Sequence, residues 1–234
     1  MRLSKGALTV AAILGALFVL GSSSDAEALT VKTSTGPRKG KHTTYEGDAA
    51  SWAKARYKLA RDYFKAYWSK ALDDAGIRDA ALSVLAQWSL ETGSGAAEYN
   101  FNVGNIRAVG AQEWFPLGDY NPKTGGKGRY QFASYDTLAD GVDAYFRLLE
   151  SDYYKDCMGK LTAAPTSADW FRCLGQKGYY AATLKDKAGK EKDNIEPAAA
   201  LWTARRALMA KYATDDVTGD ELDGFADDDE GDDE

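Results

Sequence analysis

IRDAALSVLAQWSLETGSG, residues 77–95, is the stretch that decides the fold. Apolar residues recur in it at intervals of three and four, which predicts an amphipathic helix. These residues are Ile77, Ala80, Ala81, Val84, Leu85 and Trp88. Glu91 continues the apolar stripe three residues after Trp88, and Gly93 and Gly95 then favour the end of the helix. The sequence therefore predicts a carboxylate on the core-facing side of a helix, in its last turn.

Two effects act on a carboxyl group in such a place. Burial disfavours the charged form of Glu91, and the negative end of the helix dipole does the same. Both effects raise the pKa of the carboxyl, and a carboxylic acid that is still protonated near neutral pH can serve as a general acid. A solvent-facing glutamate in a frayed last turn is the alternative that this stretch alone leaves open.

Residues 1–28 have the pattern of an export signal. Arg2 and Lys5 precede an apolar run, and residues 26–28, Ala-Glu-Ala, fit the small-x-small cleavage pattern. The apolar run is shorter than the roughly 20 residues that span a bilayer comfortably. A cleaved signal peptide is therefore favoured, and a retained membrane anchor through residues 6–21 is the alternative.

Charge is distributed unevenly along the chain. Residues 29–44 form a polar, basic linker, and the whole body over 29–213 has 27 Lys and Arg against 21 Asp and Glu. Residues 214–234 carry twelve acidic and no basic residues, with too little apolar surface to fold, so they predict a disordered acidic tail. A basic body suits an anionic polymer. The candidates are nucleic acid, a cell-wall polymer and a membrane surface, and an ordinary solvated surface is the alternative. Because no basic run has interleaved aromatics, nucleic acid is the least favoured of the three.

The chain contains one histidine, His42, and two cysteines. A single histidine argues against a His-based catalytic triad and against a multi-His metal site, so no metal or other cofactor is expected. Export implies an oxidising compartment, which predicts a disulfide between Cys157 and Cys173. Two buried thiols are the alternative.

The flanking segments predict a mainly helical body with a small β-lobe. Residues 45–75 predict one long helix, and residues 109–132 predict a β-hairpin around the turn-forming run NPKTGGKG. Residues 183–194 predict a basic, polar loop. Three further helices are predicted, whose starts are marked by Ser134, Ser167 and Pro197.

Four segments, in this order, resemble bacterial and phage glucosaminidases of the flagellar-hydrolase type. Residues 86–95, AQWSLETGSG, resemble the family's AQ…E[ST]GxG segment. Residues 102–107, NVGNIR, resemble its NLFGIK segment and, more closely, the NNPGNIR segment of related lysozyme-like phage proteins. Residues 130–149 and 174–179 resemble the F-R-x-Y-x-S and L…AGYAT segments. The resemblance spans about residues 80–212.

The resemblance implies a fold and a set of site residues. The fold is lysozyme-like, mainly α with some β: a helical body over residues 45–213 with a small β-hairpin lobe flanking the cleft. The family's catalytic acid corresponds to Glu91 and its second carboxylate to Asp119, with Glu113 as runner-up. The family's tyrosine corresponds to Tyr179, which would stabilise the transition state or orient water. Candidate substrate contacts are Trp88, Asn102, Asn105, Trp114, Tyr120 and Tyr180. A position in the core is the favoured alternative for Trp88, and Tyr180 is also a register alternative to Tyr179.

The activity that the resemblance implies is cleavage of β-1,4 bonds in peptidoglycan glycan, most closely of the N-acetylglucosaminidase type. Gly104-Asn105 stand where the family has Phe-Gly, so the bond specificity stays open. The alternatives are a muramidase or lytic transglycosylase of the same superfamily, and a non-catalytic wall-binding or virion protein. The expected partner is the peptidoglycan glycan strand. The protein is expected to be exported to the periplasm, the cell wall or the medium, and a membrane-anchored or virion-associated protein is the alternative. The sequence indicates no oligomeric state.

Overall fold

The structure is a computed structural model, which describes 45, 47–108, 114–121, 126–185 and 190–213. At 116–121, 126–129 and 185 it describes the backbone alone. The predicted signal or anchor (1–28), linker (29–44) and acidic tail (214–234) lie outside these residues. Within the described ranges, no helix combines the length and the apolar character needed to cross a membrane.

The described chain is mainly helical, with two small antiparallel strand pairs. The helices are α1 (Ala49–Trp68), α2 (Asp74–Thr92), α3 (Leu138–Glu150), α4 (Lys155–Ala163), α5 (Asp169–Gln176) and α6 (Ile195–Met209). The strands are β1 (Trp114–Asn121), β2 (Gly126–Ala133), β3 (Thr183–Lys185) and β4 (Glu191–Asp193). β1 pairs with β2, and β3 pairs with β4. The prediction of a helical body with a small β-hairpin lobe is confirmed.

Helix α2 lies at the centre of the helical body, where it packs against α1, α4 and α6. Its buried residues extend beyond the predicted apolar stripe to the polar side chains of Ser83, Gln87 and Ser89. From α6, the indole Nε1 of Trp202 donates to the carbonyl oxygen of Ser83 at 3.0 Å. The prediction of a single core-facing stripe was therefore too narrow, because three helices cover α2 rather than one.

The prediction of one long helix over residues 45–75 is wrong, because the chain turns between α1 and α2. The carbonyl oxygen of Trp68 accepts from the N–H of Ala71 at 2.9 Å, which closes a turn at the end of α1. The Asp73 side chain then accepts from the N–H of Gly76 at 2.8 Å and caps α2. Gly76 therefore lies in the first turn of α2 and does not end α1.

Two of the predicted helix starts are shifted by a few residues. Ser134 does not cap α3, because the Thr137 hydroxyl accepts from the N–H of Asp140 at 3.2 Å. Ser167 lies one residue before the N-terminal cap of α5, although its hydroxyl accepts from the N–H of Asp169 at 3.2 Å. Pro197 does lie in the first turn of α6. The local signals thus marked the right regions more reliably than the right residues.

The two hairpins differ in how well they were predicted. The β1–β2 hairpin confirms the prediction over 109–132. Residues 183–194 were predicted to be a loop, but Thr183 pairs with Asp193 in the β3–β4 hairpin. All three β4 residues are exposed, so this strand has no apolar alternation that would have marked it.

The disulfide between Cys157 and Cys173 is present, with a Cα–Cα distance of 5.4 Å. It joins α4 to α5, and both cysteines are buried in the helical core. The predicted bridge is therefore confirmed, and it fixes the relative position of two short helices that follow α3.

Candidate active site

Glu91 lies half-buried in the last turn of α2. One turn earlier, Gln87 donates from Nε2 to the carboxylate Oε1 of Glu91 at 3.2 Å. Gly93 ends the helix in the left-handed conformation, with φ 61°, as predicted. A carboxylate thus emerges at the end of the central helix with a buried side-chain amide directed at it.

The segment that follows α2 contains several residues in the left-handed conformation, which non-glycine residues rarely adopt. Four non-glycine residues within 94–105 have a positive φ: Ser94 (59°), Asn100 (49°), Phe101 (56°) and Asn105 (48°). Serine and asparagine tolerate this conformation better than a bulky ring does. Strained backbone of this kind persists only where the surrounding structure holds it, and it clusters at functional sites.

Two asparagines hold this segment in place. Asn105 donates from Nδ2 to the backbone carbonyl of Glu91. Asn102 donates from Nδ2 to the carbonyls of Ile106 and Ala133, both at 2.9 Å, and its Oδ1 accepts from the N–H of Ile106 at 2.7 Å. Asn102 is fully buried, so it orders the segment and is not available to a substrate. The prediction of Asn102 as a substrate contact is therefore wrong.

Three tyrosines feel the charge of Glu91: Tyr145 from α3, and Tyr179 and Tyr180 from the turn after α5. The pKa of each hydroxyl is raised, mainly by burial, and the negative charge of Glu91 adds to the rise in each. All three hydroxyls therefore stay protonated well into the alkaline range.

Gly104 allows two of these tyrosines to approach the site. The Tyr179 hydroxyl donates to the carbonyl oxygen of Gly104 at 2.5 Å. A Cβ at position 104 would lie 2.7 Å from that hydroxyl and 2.6 Å from Cδ2 of Tyr145. Both distances are too short for a real contact, so glycine is required at this position. This gives a physical reason for the Gly-Asn pair in NVGNIR.

Two predicted substrate contacts have other roles in the fold. Trp88 is fully buried, and its ring packs edge-on against Tyr145 with centroids 5.2 Å apart. It has no exposed face for a sugar, so the prediction of Trp88 as a substrate contact is wrong. Tyr180 stacks on Phe171 at 4.9 Å and donates to the carbonyl oxygen of the same residue at 3.1 Å. Its hydroxyl is thus bonded within the fold, as that of Tyr179 is, and contact of the partly exposed Tyr180 with a substrate stays a prediction.

The β1–β2 hairpin carries the predicted second carboxylate. Asp119 lies on β1 opposite Gly128, and Tyr120 follows it, with only the backbone described at both positions. Trp114 begins β1 and is half-buried. Glu113 lies outside the described residues. The approach of these side chains to Glu91 stays a prediction.

The sequence analysis missed Glu98, a second buried carboxylate seven residues after Glu91. It is 2% exposed and pairs with Arg56, which is 1% exposed; Arg56 donates from Nε to Oε2 at 2.8 Å. Trp52 donates from Nε1 to the same oxygen at 2.8 Å. The pair ties the segment after α2 to α1. A signal was present, because Arg56 follows Trp52 by four residues and so shares the buried stripe of α1.

The described part of the chain contains no group of three or more His, Cys, Asp or Glu side chains that could hold a metal ion. Both cysteines are used in the disulfide. His42 lies outside the described residues.

Comparison with solved structures found similar chains. One is a C-terminally truncated glycoside hydrolase domain of Salmonella typhimurium FlgJ, with 18% identity over 70% of this chain and 99% of that chain, and a TM-score of 0.45. Another is a peptidoglycan hydrolase from Sphingomonas sp. A1, with 20% identity over 68% of this chain and 99% of that chain, and a TM-score of 0.42. No family model and no curated relative matches the sequence.

Proposed function

We propose that the chain is a peptidoglycan hydrolase that cleaves β-1,4 glycosidic bonds of the cell-wall glycan with Glu91 as general acid. The observation that carries this proposal is the environment of Glu91. Its half-buried carboxylate accepts from Gln87 at the end of the central helix, Asn105 donates to its backbone carbonyl, and its charge raises the pKa of three tyrosines. The sequence resemblance indicates the class of reaction, and the Glu91 carboxyl is the group that performs it in our proposal.

The reaction needs a proton at the leaving oxygen while positive charge develops on the sugar. Glu91 donates that proton in our proposal. Tyr179, whose hydroxyl is fixed on the Gly104 carbonyl, stabilises the positive charge or orients the attacking water. Neither role requires a metal or another cofactor.

A second carboxylate would activate the water or stabilise the oxocarbenium-like transition state. We assign this role to Asp119 on β1, with Glu113 as the alternative. Glycosidases that retain the anomeric configuration hold their two carboxyl groups about 5–5.5 Å apart, and inverting enzymes hold them about 6.5–9.5 Å apart. The stereochemistry of the product therefore reports how far the hairpin lobe brings its carboxylate from Glu91.

The groove between the helical body and the hairpin lobe would hold the glycan. Asn105, Trp114, Tyr120 and Tyr180 are the proposed substrate contacts. We favour cleavage of the N-acetylglucosaminidase type. Reducing-end analysis of digested peptidoglycan tests this: N-acetylglucosamine ends support it, whereas N-acetylmuramic acid ends indicate a muramidase and anhydro-muramic ends a lytic transglycosylase.

The decisive variant is Glu91→Gln, which keeps the shape of the side chain and removes the acid. We expect peptidoglycan digestion to fall by about 10² or more, the size of a general-acid contribution, with nearly unchanged thermal unfolding. Glu150→Gln is the matched control, because Glu150 is exposed and bonds only to Tyr63 in the described contacts. Digestion by Glu91→Gln at the wild-type rate would refute the proposal. Binding to peptidoglycan without digestion by the wild type would indicate a non-catalytic wall-binding protein.

The proposed catalytic domain spans residues 45–213, and the proposed location is outside the cytoplasm. A disulfide at Cys157 and Cys173 suits an oxidising compartment. Residues 1–28 would direct export, either as a cleaved signal peptide or as an anchor through residues 6–21. Edman sequencing of the exported protein separates the two, because a cleaved signal leaves a mature chain that begins after Ala28.

A further inference from the structure

Two large apolar side chains are strongly exposed in the described part of the chain, Tyr67 and Tyr153. Tyr153 is 58% exposed and lies just before α4. Unlike a free surface side chain, it is held at its tip: its hydroxyl donates to the carbonyl oxygen of Lys177 at 2.7 Å. An exposed aromatic ring with a fixed orientation is a surface ready to receive another ring.

The support beneath Tyr153 is rigid. Tyr153 lies four residues before Cys157, and Lys177 lies four residues after Cys173. The Tyr153–Lys177 hydrogen bond therefore joins the same two parts of the chain as the disulfide. The Lys177 ammonium lies 5.3 Å from the centroid of the Tyr153 ring and pairs with Asp156 at 3.3 Å. A side chain that is already ordered loses little rotamer entropy on binding, which favours affinity.

Tyr153 is connected to the candidate active site by a series of ring contacts. Its ring packs edge-on against Tyr154 at 4.8 Å, and Tyr154 packs edge-on against Tyr179 at 5.8 Å. The backbone makes the same connection, because Lys177, which holds Tyr153, precedes Tyr179 by two residues across Gly178 in the left-handed conformation (φ 79°). The exposed ring is therefore attached to the turn that carries the site tyrosine.

We propose that the face of the Tyr153 ring that Lys177 does not cover is an outlying binding site for a pyranose ring of the glycan. This inference rests on the proposed function and deepens it. Aromatic rings bury large apolar areas at low entropic cost, and the apolar face of a pyranose suits the flat face of a phenol. The occupant would be a sugar unit of the same strand whose bond lies at Glu91.

Chain length gives this proposal a specific test. If Tyr153 is an outlying site, a short glycan that occupies only the subsites at Glu91 does not contact it, whereas a long strand does. We expect Tyr153→Ala to raise KM for long soluble glycan fragments on the order of tenfold, the factor that corresponds to one ring-stacking contact, with kcat within about twofold. KM for the shortest cleaved fragment should stay unchanged. Tyr153→Phe keeps the ring and should stay within about threefold of the wild type.

Tyr67→Ala is the matched control, because Tyr67 is 72% exposed and its ring contacts Tyr63 on the same helix, α1. It should leave KM unchanged at every length. Binding of a soluble N-acetylglucosamine oligomer to Glu91→Gln, with and without Tyr153→Ala, measures the same effect without turnover. An equal loss for short and long fragments, or an unchanged KM for long ones, would overturn the Tyr153 site alone. A wild type that neither cleaves nor binds glycan would overturn the proposed function and this site with it.

Discussion

Removal of the Glu98 carboxylate should lower the stability of the fold strongly, although Glu98 is not one of the predicted site residues. In Glu98→Ala, Arg56 keeps its burial and loses both contacts to the carboxylate. Its one other described bond is a long one, from Nη1 to the carbonyl oxygen of Trp52 at 3.4 Å. The Trp52 indole N–H also loses its acceptor. A buried charge and a buried donor are then left uncompensated.

The expected magnitude follows from the burial of both partners. Breaking a buried ion pair by removing one member destabilises by about 3–5 kcal/mol. A domain of this size loses roughly 2–4 °C in Tm per kcal/mol, so Tm should fall by about 10 °C. Replacing both partners by apolar groups of similar volume, as in Arg56→Met with Glu98→Leu, should restore most of this loss, because no charge stays buried.

Urea unfolding at neutral pH, followed by tryptophan fluorescence, measures both variants, with the slope of the transition checked for constancy. Asp62→Ala is the control, since it breaks the exposed Lys58–Asp62 pair, where both side chains are at least a third exposed. That pair should contribute less than about 1 kcal/mol. A loss below about 1 kcal/mol for Glu98→Ala, or a double variant as unstable as the single one, would refute the reasoning.

Three further predictions concern tyrosines and the disulfide. Tyr145→Phe should raise the free energy of unfolding by about 1 kcal/mol in urea titrations, because the buried hydroxyl has no hydrogen-bond partner in the described chain; a clear loss would contradict this. The pKa of Tyr45 is raised to about 12, mainly by burial. Since an unfolded tyrosine has a pKa of about 10, its contribution to stability is complete below pH 10 and declines towards pH 12, so Tyr45→Phe should flatten the alkaline decline. Replacing Cys157 and Cys173 by serine should cost about 3 kcal/mol in the same urea titrations, and an unchanged midpoint would count against it.

The features that the sequence predicted correctly have strong local signals. Gly93 ends α2 because glycine adopts the left-handed conformation at no steric cost. The β1–β2 hairpin follows from turn-forming residues between aromatic runs, and Pro197 suits the first turn of α6. Glu91 was predicted at the end of α2 from spacing alone, and it lies there.

The features that the sequence did not predict depend on distant partners. The Arg56–Glu98 pair joins residues 42 positions apart, and no sequence pattern indicates that these two residues pair. Asn102 is committed to Ala133, 31 positions away, so its role in ordering the segment has no local signal. The turn between α1 and α2 was missed because apolar residues continue at helical spacing across it, although Asp73 is a ready cap.

The segment after α2 also continues into the β-lobe. Ala108 donates its N–H to the carbonyl of Gln131 at 3.0 Å, and Ala133 donates to the carbonyl of Ile106 at 2.8 Å, so the segment lies along β2 as a partial third strand. The same segment is bonded to the end of α2, where Asn105 donates to the Glu91 carbonyl. The β-lobe and Glu91 are thus hydrogen-bonded to the same segment. A displacement of the hairpin relative to the helical body must therefore break one of these hydrogen bonds or displace Glu91 as well.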